Sequence, residues 1–234
     1  MNEQNTTEVT SYSATNKVGF YSAIVLAVAT IIAFGLAITA TPGGVVVYPY
    51  LDTLKLFPKD YIWMFVSIPL LLSYIILMIV ISSLAKNDKR IFGQISVAFA
   101  IISAVILLSN YFIQFSVIPV SLLNNNTDGI MLLTQYNPSS IFIALEELGY
   151  IMMALSFAFI STIFGKDRLG RSIKLIFISA FLLSIVSFVI VSIQYGINRG
   201  YIFEIAVILI TWLTLIINGI LLSIFFRKQY FIKQ

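Results

Sequence analysis

Apolar residues run along this chain in six long blocks, at about 18–40, 61–84, 91–118, 141–164, 172–195 and 201–226. A helix crosses the hydrocarbon of a bilayer in about 20 apolar residues, so each block is long enough to span it. The breaks between blocks are of two kinds. KNDKR and GKDRLGR are short and basic, whereas TPGGVVVYPYLDTLKLFPKD and PVSLLNNNTDGIMLLTQYNPSS are longer and carry Pro, Gly and Asn. The pattern predicts an all-α polytopic membrane protein with six transmembrane helices in one bundle, spanning 18–226, between a polar tail at 1–17 and a basic tail at 227–234. The leader MNEQNTTEVTSYSATN has no early positive charge, and the apolar run after it is longer than a signal-peptide core. The first block is therefore expected to remain as a helix. Pro69, inside the second block, removes one backbone donor and is expected to bend that helix.

Polar residues inside the blocks fall on stripes. In the third block Gly93, Ser96, Ala100, Ser103, Leu107, Asn110 and Gln114 recur at spacings of three and four, which places them on one helix face. The stripe is small at one end and strongly polar at the other, and small residues let helices approach closely in lipid. Ala180, Ser184, Ser187, Val191 and Gln194 repeat the pattern in the fifth block, and Glu204, Thr211 and Asn218 stand seven apart in the sixth. The fourth block opens with two adjacent carboxylates, Glu146 and Glu147. Neighbours on a helix point about 100° apart, so the two face different ways. Glu147 shares its face with Ala144, Ile151, Ala154, Ala158 and Ser161 and is expected in the interior. Glu146 shares its face with Gly149, Tyr150, Met153 and Phe157 and is expected at the rim or in a helix seam. Asn137 is expected to cap this helix, with Pro138 in its first turn, and Thr127 or Asp128 to cap a short helix over 130–133.

Orientation follows from the basic residues, which favour the cytoplasmic side. Eleven of the 14 lie on one side: Lys17, Lys86, Lys89, Arg90, Lys166, Arg168, Arg171, Lys174, Arg227, Lys228 and Lys233. Lys55, Lys59 and Arg199 lie on the other. Both termini are therefore expected in the cytoplasm. Counting about 20 residues outward from the basic side of each span brings Asn110, Glu147, Gln194 and Glu204 into one layer near the outer boundary. The candidate site is an outer-leaflet polar cluster of Asn110, Gln114, Glu146, Glu147, Gln194 and Glu204, with Arg199 as a candidate ion-pair partner of Glu204. Two readings stay open: an outward-facing acidic vestibule, or the interfacial end of a helix, where charge costs little. A shift of 80 residues lays Lys86 on Lys166 and Gln114 on Gln194, a candidate trace of a repeated hairpin.

Composition narrows the chemistry. Hydrophobic residues make up 59% of the chain and charged residues 10%, against about 25% charged in soluble domains. With no Cys and no His, thiolate and imidazole chemistry is excluded. Zinc sites of the usual kind and His-based triads go with it. No metal site, no cofactor and no catalytic set is expected. A net charge of +4, spread over turns, gives no nucleic-acid surface.

The stretches Asn110-Tyr-Phe-Ile-Gln114, Tyr136-Asn-Pro138 and Ala144-Leu-Glu-Glu-Leu-Gly-Tyr150 resemble a family of prokaryotic six-helix integral membrane proteins with no assigned activity. The resemblance spans the third to fifth blocks. It implies a bacterial or archaeal cytoplasmic membrane, and no substrate or catalytic residue.

Three functional classes remain. One is a binder or transporter of a small, cationic solute through the acidic vestibule. The second is a non-catalytic partner or sensor subunit, with the bilayer, another protein or a second copy as partner. The third is an intramembrane enzyme acting on a lipid, with Glu147 and Glu204 as its acid and base.

Overall fold

A computed structural model describes residues 3–41, 46–165 and 167–231. Lys166, used in both the charge count and the 80-residue alignment, lies outside the described residues, as do 42–45 of the first connection and 232–234 of the basic tail. The described residues form helices and turns, without strands. The helices are α1 (Glu3–Ile38), α2 (Ile62–Ser83), α3 (Arg90–Ser116), α4 (Ile118–Leu123), α5 (Ile130–Leu133), α6 (Ile141–Ile160), α7 (Arg168–Tyr195) and α8 (Ile202–Phe231). Six of them are long and apolar enough to cross a membrane, as the block pattern predicts. Helix α1 begins at Glu3, and α8 runs through Arg227 and Lys228 to Phe231, so both flanking segments are largely helical. Nothing in the polar leader breaks the hydrogen-bond ladder, since it contains neither Gly nor Pro.

The six long helices pack in chain order around the bundle, and α1 closes the ring by lying against both α2 and α8. Helix α6 has neighbours on several sides. It packs on α3, α7 and α8 and also touches α2. Close approach is achieved by small residues. A Cβ at Gly219 would stand 3.1 Å from the Ala23 carbonyl oxygen and 3.0 Å from the Ala27 Cβ, so α8 and α1 meet nearly backbone to backbone. On α3, the whole striped face from Gly93 to Gln114 is buried as its spacing predicts. Ser96 Oγ lies 2.9 Å from both the carbonyl oxygen and the hydroxyl of Ser156, joining α3 to α6. Pro69 stands inside an unbroken α2.

Several local expectations are corrected. Helix α6 starts at Ile141, and its cap is Ser140, whose Oγ accepts the Ile143 N–H at 3.3 Å. Asn137 and Pro138 precede the helix. The Asn137 side chain turns back on the connection, its Nδ2 donating to the Met131 carbonyl at 2.7 Å and its Oδ1 accepting from the Ser139 N–H at 3.0 Å. At α5 neither Thr127 nor Asp128 caps; Gly129 precedes the helix at φ 78°, a left-handed conformation suited to glycine.

The chain crosses the bundle six times, so the long connections gather at the end away from the termini, the distal end. There Asp60 Oδ2 accepts from the Thr41 N–H at 3.0 Å and from the Tyr136 hydroxyl at 2.9 Å. Gln114 bonds the same connection twice, donating to the Leu133 carbonyl and accepting the Gln135 N–H at 3.1 Å. The 117–140 segment is thereby tied down onto α3 and onto the start of α2. At the other end Lys89 Nζ donates to the Thr162 carbonyl, holding the α2–α3 turn against the end of α6.

Candidate functional site

The packing around α6 decides where its two glutamates go. A helix at the rim buries one stripe, but α6 has neighbours on several sides, so residues about 100° apart are both covered. Glu146 is 1% exposed and Glu147 is 4% exposed. Both are buried, Glu147 as an interior position predicts and Glu146 in the seam between α6 and α3. Glu146 is the deeper of the two, and its face of Gly149, Tyr150, Met153 and Phe157 is buried. Glu147 looks instead toward the α7–α8 connection. The expectation rested on small residues marking the interior. In this helix the bulky Tyr150, Met153 and Phe157 on the Glu146 face are buried along with the small Ala154 and Ser161 on the Glu147 face, so small residues do not single out one interior side.

Glu146 closes a chain of buried hydrogen bonds. Trp212 Nε1 donates to the Tyr150 hydroxyl at 2.8 Å, the Tyr150 and Tyr111 hydroxyls are 2.8 Å apart, and Tyr111 donates to Glu146 Oε1 at 2.7 Å. The direction is set by the ends. Indole has only a donor, and Tyr111 has committed its proton to the carboxylate, so Tyr150 donates to Tyr111. Trp212, Tyr150 and Tyr111 are each at most 2% exposed. Rings shield the chain: Trp63 lies 5.1 Å from Tyr111 and 6.0 Å from Trp212, and Phe34 lies 6.0 Å from Trp212.

At its acidic end the chain meets a second carboxyl. Glu204, at the start of α8, lies beside Glu146, and Glu147 is near enough to act on Glu204 electrostatically. Trp212 stands eight residues after Glu204 on α8, about 12 Å further along the helix axis. The polar chain therefore runs from the distal edge toward the middle of the bundle.

Arg199 reaches this cluster from the α7–α8 connection. Its Nη2 pairs with Glu147 Oε2, and not with Glu204 as its closeness in sequence suggests. Glu204 lies in the first turn of α8 and is itself buried, 7% exposed. The guanidinium carbon sits 5.7 Å from the Phe188 ring centre and 5.9 Å from that of Phe203. Glu147 Oε1 is buried without a partner.

Of the other expected members, Asn110 is buried and donates to the Phe142 carbonyl at 2.9 Å, so it joins α3 to α6 beside the cluster. Gln114 is buried but serves the 117–140 connection. Gln194 is exposed and belongs to no cluster. The 80-residue alignment thus pairs a buried glutamine with an exposed one. Tyr111, Tyr150, Trp212 and Asp60 were not singled out by sequence. A signal existed for Tyr150, which stands one turn after Glu146 on the same face. Trp212 had none, because its link to Tyr150 crosses 62 residues. Among the described residues no three acidic, His or Cys side chains are placed to hold a metal ion.

No family model, no curated protein and no solved structure matches this chain. What the fold supports directly is a multi-pass helical membrane protein.

Proposed function

We propose that this chain is a cytoplasmic-membrane protein, with both termini in the cytoplasm, that binds a small cationic solute at its distal end. One observation carries the reading. Glu146, Glu147 and Glu204 are gathered in the interior of an apolar bundle, and one oxygen of Glu147 is buried without any partner. Burying a carboxylate is costly unless it is paired. One guanidinium answers part of that charge, and a bound cation would answer the rest. The Tyr111–Tyr150–Trp212 chain holds Glu146 in place, so the acids are prepared before a ligand arrives.

The enzyme reading has less support. Glu147, one member of the acid–base pair that reading needs, is held by the Arg199 guanidinium. The partner-subunit reading leaves the unpaired Glu147 oxygen without a role.

The test is equilibrium binding to the purified full chain in lipid nanodiscs, with sodium, ethylammonium and methylguanidinium chloride as probes. Saturable binding of at least one probe is expected, abolished in Glu147→Gln and weakened in Glu204→Gln. A wild-type protein that binds none of the three, or a Glu147→Gln variant that binds as well as wild type, would overturn the reading.

A further inference from the structure

The surroundings of Glu147 have the makeup of a site for an organic cation, already filled by part of the chain. A buried carboxylate, 4% exposed, faces a planar cation, and two aromatic rings lie beside it. Phe188 and Phe203 have centres 5.1 Å apart at 64° to each other, and each presents itself to the Arg199 guanidinium within 6 Å. A carboxylate with aromatic faces is a recurrent way to hold amines and guanidinium groups.

Two features distinguish this arrangement from an ordinary ion pair. Arg199 is carried by the short connection at 196–201 and not by a helix. Its side chain is 33% exposed, while that of Glu147 is 6% exposed. The cation is therefore the member that can withdraw toward water, and the carboxylate is the member fixed in the bundle. In addition, a well-seated arginine usually engages both carboxylate oxygens. Here Oε1 of Glu147 is left buried and unpartnered, one acceptor more than Arg199 uses.

We infer that Arg199 is a tethered occupant of a binding site for a small organic monocation, a guanidinium or a primary alkylammonium, held by the Glu147 carboxylate against Phe188 and Phe203. The inference rests on the cation-binding reading above and narrows it to one ligand class. A free ligand enters by displacing Arg199, so the arginine is a built-in competitor that sets the affinity of the site. A primary ammonium has three donors and a guanidinium five, enough to engage the second carboxylate oxygen as well.

The experiment compares wild type, R199A and R199Q as full chains in nanodiscs, with methylguanidinium chloride as the probe. Equilibrium binding and the thermal midpoint are both read. R199Q keeps the length and some donors of the arginine without its charge, and it decides the matter if R199A does not fold. The variants are expected to bind methylguanidinium at least about tenfold tighter than wild type and to regain thermal stability as the probe is added. The gain is expected to vanish when Glu147→Gln is added to R199Q. Folded variants that bind no tighter than wild type, with no rise in midpoint, would overturn the inference. If wild type still binds a probe in a Glu147-dependent way, the broader cation-binding reading survives that failure. If no form binds any probe, both fall.

Discussion

Tyr150 shows how much depends on a single hydroxyl. It accepts from Trp212 and lies 2.8 Å from Tyr111, so Tyr150→Phe strands a buried indole N–H and leaves Tyr111 without its donor. Leaving a buried polar group unpaired costs about 1–3 kcal/mol, and a loss of that size is expected in detergent or nanodisc unfolding. Ser103 is the contrasting case. Its hydroxyl is fully buried with no partner. Ser103→Ala removes only an unpaired group and is expected to be neutral or stabilising by up to about 1 kcal/mol in the same assay. In the sequence each is one member of a helix stripe. Both sit on apolar helices, and only the neighbour across the seam decides which hydroxyl matters.

Among the elements, α3 was legible and α6 was not, for one reason. A helix at the edge of a bundle has a single buried side, and its stripe from Gly93 to Gln114 announces that side. Helix α6 is covered from several directions, so periodicity cannot rank Glu146 against Glu147. Helix contacts also grade the glycines. A side chain at Gly219 would strike the Ala23 backbone, which cannot move aside, while one at Gly149 would meet the Leu107 side chain, which can. Gly219→Val is expected to cost about 1–3 kcal/mol by overpacking, and Gly149→Ala less, read as thermal midpoints. The 117–140 connection has its own test. Burial, then the nearby Tyr61 and the hydrogen bond to Asp60, hold the Tyr136 phenol well above the ordinary tyrosine range. The folded protein keeps that proton where the unfolded chain gives it up. The stabilisation is therefore whole below about pH 10 and is lost as the pH rises further. Tyr136→Phe is expected to flatten the alkaline part of the stability profile, measured as midpoints from about pH 8 to about pH 11.

The whole molecule offers a direct test of its threading. With no native cysteine, Lys86→Cys and Lys55→Cys each supply a single thiol, one in a short basic turn and one in a long connection. A membrane-impermeant maleimide added to intact cells is expected to label Lys55→Cys and to label Lys86→Cys only after the membrane is opened. The reverse pattern would invert the proposed orientation. The proposed site lies at the Lys55 end, where the long connections gather and where Arg199 enters from its short turn.

The six spans, the all-helical class and the buried face of α3 are properties of the sequence by itself. They depend on the length and period of apolar runs, and each run reports on its own contact with lipid or protein. The partner of Arg199, the nearness of Glu204 to Glu146 and the hydrogen-bond chain to Trp212 were decided only by tertiary structure. Each joins residues on different helices, and which ends meet depends on how α6 is set among its neighbours. Local periodicity carries no record of that placement. The charged residues were visible from the start; the arrangement that makes them a candidate site is a matter of packing.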